Sequence, residues 1–122
     1  MSRIRFAAIL LLVFLGTTNA SANTLVSTNP ISGSTLSVSP TNVTVTGQVA
    51  LLADAPDANS ITVTDPNGVR VDDGTIMIFE MSATVGVRPL VDSGTYTVTY
   101  SLLSEGDVPL EGSFTFKYQS PS

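Results

Sequence analysis

The chain contains no cysteine and no histidine, and these two absences remove whole classes of chemistry. Ser-His-Asp and Cys-His nucleophilic devices are excluded outright, as are imidazole and thiolate metal sites. A disulfide is impossible, so the hydrophobic core alone must supply the stability. Glycine-rich phosphate loops of the GxGxxG or GxxxxGK type are missing as well. Basic residues are scarce, five against ten acids, which speaks against nucleic acid as a partner. Helical patterning is missing too: no stretch of the chain after its first 22 residues places apolar residues at i, i+3, i+4 and i+7. Carboxylate pairs remain, of which Asp72-Asp73 is the most obvious. Neighbours on a strand point to opposite faces and Gly74 marks a turn, so this pair reads as solvated turn chemistry. Together these absences point away from an enzyme.

What is present begins with an amino-terminal address. Arg3 and Arg5 precede the apolar run FAAILLLVFLG and then the small, polar stretch TTNASA, the three-part layout of a secretory signal. The run is too short to span a bilayer comfortably. Ala20-Ser21-Ala22 fits the small-x-small rule, so residues 1–22 are expected to be removed, leaving Asn23 first; a cut after Ala20 is the alternative. No cysteine follows to accept a lipid and no later segment is long and apolar enough to anchor the chain. A soluble, exported domain over residues 23–122 is expected. An exported chain without cysteine points to the bacterial periplasm. The exported form keeps three of the five basic residues and all ten acids, for a net charge of −7. Such a surface aids solubility and attracts cations without selectivity.

The rest of the chain alternates with period 2 between turn signals, the mark of an all-β protein. Thr-Val-Thr recurs in VTVTG (43–47), ITVTD (61–65) and YTVTY (96–100). Each predicts a half-buried strand with Val43 and Val45, Ile61 and Val63, or Tyr96, Val98 and Tyr100 inward and the threonines outward. Phe114, Phe116 and Tyr118 repeat the pattern. The unequal spacing of the triplets marks shared strand chemistry and not a repeat. Turn signals lie at Asn29-Pro30, Ala55-Pro56-Asp57, Asp65-Pro66-Asn67-Gly68, Asp72-Asp73-Gly74, Asp92-Ser93-Gly94 and Glu105-Gly106-Asp107. The Pro-Asn-Gly sequence predicts a tight hairpin. About seven short strands suggest a single antiparallel, immunoglobulin-like Greek-key β-sandwich.

Three segments, in order, carry a resemblance: LVSTNPISGSTLSVSPTNVTV near the start, ITVTDPNGVRV in the middle and SGTYTVTYSLLSEGDVPLEGSFTF near the end. Their order and spacing resemble those of the CopC family of periplasmic copper-resistance domains across nearly all of residues 23–122. The last segment is the most specific, matching a G-T-Y-x-V strand, an S-x-D-G-H turn and a G-x-F-x-F strand. The resemblance implies a copper protein whose Cu(II) site joins a histidine at the mature amino terminus, through its amine and ring, to the Asp and His of that turn. Aligning Ser104, Pro109, Gly112, Phe114 and Phe116 puts Gly106 at the Asp position, Asp107 at the Gly position and Val108 at the His position, with Asn23 at the amino-terminal one. The frame is present and both histidines are absent. Copper binding, if kept, is expected to be weak or altered, because nitrogen ligands are what hold Cu(II) tightly in a tetragonal site.

Candidate metal positions are therefore Asn23 and Asp107, the latter weighed against a plain turn role beside Gly106. Some members of the family also hold Cu(I) through a methionine-rich loop, which makes Met77 and Met81 of IMIFEM candidates. On a strand they share a face with Phe79, and such a stripe reads more readily as core filling. Two functions stay open: a copper-binding, copper-resistance type of domain with a changed site, and a non-metal, immunoglobulin-like module that presents loops or an edge strand to another periplasmic protein.

Overall fold

The computed structural model describes residues 23–54 and 56–121. Among the described residues eight strands form two four-stranded sheets around one apolar core. In chain order they are β1 (Leu25–Asn29), β2 (Thr35–Leu36), β3 (Asn42–Gly47), β4 (Ser60–Thr64), β5 (Asp72–Phe79), β6 (Ser82–Val87), β7 (Gly94–Ser104) and β8 (Val108–Tyr118), with one 3₁₀ turn at Pro56–Ala58. One sheet runs β1-β3-β6-β5 and the other β2-β8-β7-β4. All pairings are antiparallel except that of β2 with β8. The two-residue β2 accounts for the difference from the expected seven strands.

Alternation decides which side chains fill the space between the sheets. Val43, Val45, Ile61, Val63, Tyr96, Val98, Tyr100, Phe114, Phe116 and Tyr118 are all buried, as their patterning predicts. Each such side chain contributes about 1.5–3 kcal/mol on leaving water. Tyr96 stacks on Phe116 with ring centroids 5.5 Å apart and meets Tyr118 edge-on at 6.4 Å. Its hydroxyl donates to the Asp92 carbonyl at 2.7 Å, pinning the entry to β7 in the manner of a tyrosine corner. Opposite Tyr100 in β8 stands Gly112. A Cβ there would lie 2.7 Å from the Tyr100 hydroxyl, so the ring requires glycine. On the outer face of the first sheet the threonines pair across strands, Thr44 with Thr84 at 2.9 Å and Thr46 with Ser82 at 2.7 Å.

The hairpin at 65–68 closes by the Gly68 amide donating to the Asp65 carbonyl at 3.0 Å. The Asp65 carboxylate also accepts from the Asn67 and Val69 amides. Its return arm is brief: Arg70 bridges to Thr64, and by Asp72 the chain has crossed into the other sheet.

Two expectations are corrected. Asp72 is not a solvated turn residue: it begins β5, is 6% exposed, and accepts from the Val63 amide at 2.8 Å and from Arg70. Only Asp73 faces water, its carboxylate accepting from the Thr75 amide. The Met77-Phe79-Met81 stripe is not core filling. Met77 and Phe79 are 70% and 75% exposed and Met81 42%. The inward positions of β5 are taken by Ile76 and Ile78, which are half-buried against the core.

Candidate functional site

The hairpin joining β7 to β8 closes on the pair Ser104 and Val108, with Glu105, Gly106 and Asp107 at its tip. Gly106 and Asp107 both have positive φ, 81° and 60°. Glycine enters that region freely and aspartate is among the few side chains enriched there. Asp107 is exposed, whereas Val108 is half-buried as the first residue of β8. Ser104, at the base of the hairpin, is wholly buried.

Asn23 reaches that base from the other end of the chain. Its Nδ2 donates to Ser104 Oγ at 2.6 Å and to the Val49 carbonyl at 3.2 Å. Its Oδ1 accepts from the amides of Gln48 at 2.8 Å and Val49 at 3.1 Å. The residue is 8% exposed. The segment it grips runs on beside the hairpin, where Leu51 bridges to Ser104 and the Glu105 amide donates to the Ala50 carbonyl at 2.9 Å. Gly47 completes the enclosure, since a Cβ on it would lie within 3 Å of both Asn23 amide atoms and of Leu110 Cδ2.

The fold thus brings Asn23 to the base of the hairpin that carries Asp107, two positions 84 residues apart in the chain. The chemistry it assembles there is that of a structural lock. An amide can donate twice and accept twice, and the Asn23 side chain does both. Using the same oxygen as a metal ligand would compete with its bonds from the partly buried Gln48 and Val49 amides. Among the described residues no three His, Cys, Asp or Glu side chains are close enough together to hold a metal ion. Met77 on β5 and Met81 in the turn after it stand on an exposed edge of the first sheet. The residues present therefore do not fit a tetragonal Cu(II) ion.

Ser104 is the residue whose role the sequence does not announce, because a serine at the end of a strand reads as a turn signal. An ion pair also lies away from this site. Arg70 Nη2 is 2.6 Å from Asp72 Oδ2, with Nε donating to Oδ1 at 3.1 Å. Burial works to raise the Asp72 carboxyl, but hydrogen bonds from Arg70 and the Val63 amide, with the guanidinium charge, outweigh it. Its pKa is held below the ordinary carboxylate value. Burial, then the charges of Asp65 and Asp92, push the Tyr96 phenol up, and burial does the same to Tyr100. Two shallow clefts, of about 170 and 210 Å³, lie beside β5 and are lined by neither Asn23 nor the hairpin.

The CopC domain family model matches residues 25–119. The chain belongs to this family. Its fold is similar to that of CopC from Methylosinus trichosporium OB3b, at 22% identity and a TM-score of 0.67 over 82% of this chain and 96% of that one. It is also similar to PcoC, a methionine-rich copper resistance protein from Escherichia coli, at 18% identity and a TM-score of 0.65 over 80% and 99% of the two chains. No curated protein matches the chain.

Proposed function

We propose that the chain is an exported, periplasmic CopC-family protein of the copper-resistance type whose copper binding is weak or altered, and that it works by binding and not by catalysis. In this reading residues 1–22 are a cleaved secretory signal and residues 23–122 are the working domain. The observation that carries it is the closed Asn23 side chain: at the amino-terminal position of the site, the residue is committed to Ser104, Gln48 and Val49. What remains for a copper ion is the α-amine that cleavage would free on Asn23 and the exposed Asp107 carboxylate. Met77 and Met81 are the candidate thioether donors for Cu(I). An amine with one carboxylate is a poor set for Cu(II), so a Kd of about 10 µM or weaker follows.

Titration with Cu(II) and Cu(I) against a competing chelator tests this reading. Asp107→Ala and Met77→Ala/Met81→Ala variants separate the two donor pairs. Weak one-to-one binding lessened by either variant supports it. Tight, saturable binding that both variants leave intact contradicts it.

A second reading, a module that binds another protein and no metal, is favoured by one observation: the exposed apolar stripe on β5. Copper-independent crosslinking of a partner in the periplasm would support it.

A further inference from the structure

An asparagine carboxamide is open to internal attack when the next backbone nitrogen can reach it, and the asparagines of this chain differ sharply in that respect. Among the described residues they are Asn23, Asn29, Asn42, Asn59 and Asn67. Asn23 and Asn59 are 8% and 7% exposed, and both have their amide atoms engaged. Asn59 donates to the Leu52 carbonyl at 2.8 Å and accepts from the Leu103 amide at 2.9 Å. Asn29 precedes Pro30, whose nitrogen has no proton to give up. Asn42 begins β3 opposite Gly86 and precedes Val43, whose branched side chain crowds the backbone beside it.

Asn67 differs on each count. It is exposed at the tip of the hairpin between β4 and β5, and it is followed by Gly68, exposed as well. Gly68 has a φ of 83° and, apart from its chain neighbours, no heavy atom within 4 Å of the place a Cβ would take. The Asn67 carboxamide makes one long hydrogen bond, from Nδ2 to Asp92 Oδ2 at 3.4 Å. What holds the Gly68 nitrogen in place is its bond to the Asp65 carbonyl at 3.0 Å. An exposed turn closed in this way is among the parts of a fold that open locally at low cost.

We propose that Asn67 is a deamidation site, at which the Gly68 backbone nitrogen displaces the side-chain amide. Hydroxide takes the Gly68 amide proton when the turn opens, and the nitrogen attacks Asn67 Cγ. The new C–N bond closes a cyclic imide, the Cγ–Nδ2 bond breaks, and Nδ2 takes up a proton and leaves as ammonia. Water then opens the ring. Attack at Cγ gives ordinary aspartate, and attack at the Asn67 backbone carbonyl gives a β-linked aspartate with Cβ inserted into the main chain. Overall one water is consumed and one ammonia released, with no oxidant or reductant needed. Either product sets a carboxylate where Nδ2 now donates to Asp92, so attraction becomes repulsion. The β-linked form also changes the spacing on which the Gly68 and Val69 bonds to Asp65 depend. The same hairpin carries Arg70, the partner of Asp72, so the change loosens the arm that positions that ion pair.

Peptide mass mapping with electron-transfer fragmentation reads conversion at each asparagine and separates ordinary from β-linked aspartate. The sample is protein purified from cells expressing the full chain and held for days in neutral and in mildly alkaline buffer. Conversion at Asn67 ahead of Asn23, Asn29, Asn42 and Asn59 is expected, faster in the alkaline buffer, with β-linked aspartate among the products. Asn67→Gln should lose the conversion, because its longer side chain must close a larger ring. Urea enough to unfold the chain should speed conversion at Asn67, since Asp65 then no longer holds the Gly68 amide. The converted protein should unfold at lower urea than Asn67→Asp, which adds the charge and keeps the backbone. An Asn67 that stays intact in both buffers, or that converts no faster than Asn42, would overturn the inference. So would a product that is ordinary aspartate alone, since water would then have attacked the amide without the Gly68 nitrogen.

Discussion

Asn23 and Ser104 lie 81 residues apart in the chain and are joined by a 2.6 Å hydrogen bond between buried side chains. That contact ties the start of the domain to the base of the β7–β8 hairpin. It also uses, for folding, the position at which the family resemblance would put a copper ligand.

Removing the amide should cost far more than removing a surface asparagine. Asn23→Ala takes this partner from Ser104 Oγ and from the Val49 carbonyl and amide, and leaves the Gln48 amide only its bond to the Thr24 carbonyl, a loss of about 2–4 kcal/mol. Ser104→Ala removes one of the four bonds and should cost about 1–2 kcal/mol. Gly47→Ala, which drives a methyl against the Asn23 amide and Leu110, should cost about 1–3 kcal/mol through overpacking. Urea unfolding of the three variants checks the order. Equal, negligible effects would remove the lock.

The Asp72 carboxylate makes stability depend on acid. Its folded pKa lies below the unfolded value of 3.8, so its contribution is fully present above about pH 4 and is lost as pH falls through the folded value. Asp72→Asn should flatten this acid limb, read from urea midpoints between about pH 2 and pH 6. Arg70→Ala should cost less than Asp72→Ala. The guanidinium side chain is 58% exposed and its attraction is screened by water, whereas Asp72→Ala strands the buried Val63 amide.

At the alkaline end the sign reverses. The Tyr96 phenol is raised above 10.0 in the folded chain, so the neutral form is favoured by folding. Its contribution holds below about pH 10 and drains away as pH rises through the folded value. Tyr96→Phe should cost about 1–2 kcal/mol near neutral pH, because the Asp92 carbonyl loses its donor, and should soften the alkaline limb. Absorbance titration of the phenolate against unfolding by circular dichroism checks both effects.

How much of this was legible depended on the range of the interaction. The alternation through Tyr96, Val98 and Tyr100, and through Phe114, Phe116 and Tyr118, named the inward faces correctly because period 2 is a local property of a strand. The Asp65–Gly68 turn was legible for the same reason. The stripe Met77-Phe79-Met81 shows where such reasoning stops: alternation groups residues onto one face without saying which face is inward, and here Ile76 and Ile78 won. Asp72 reads as turn chemistry from its neighbours in sequence, because its burial depends on Arg70 and on the Val63 amide of a neighbouring strand. Of the candidate site, the frame was readable from motif order. The commitment of Asn23 to Ser104 and Gly47 was not, since a contact between residues so distant in sequence leaves no local pattern.

The most direct test is thermal unfolding of the exported protein and its Asn23→Ala variant, each with one equivalent of Cu(II) and with a chelator. The account predicts that copper leaves the melting temperature of the unaltered protein nearly where the chelator leaves it, and that Asn23→Ala lowers it by about 10 °C or more in both conditions. A saturable copper-dependent rise in the unaltered protein that vanishes in Asn23→Ala would contradict it, and would make Asn23 a ligand.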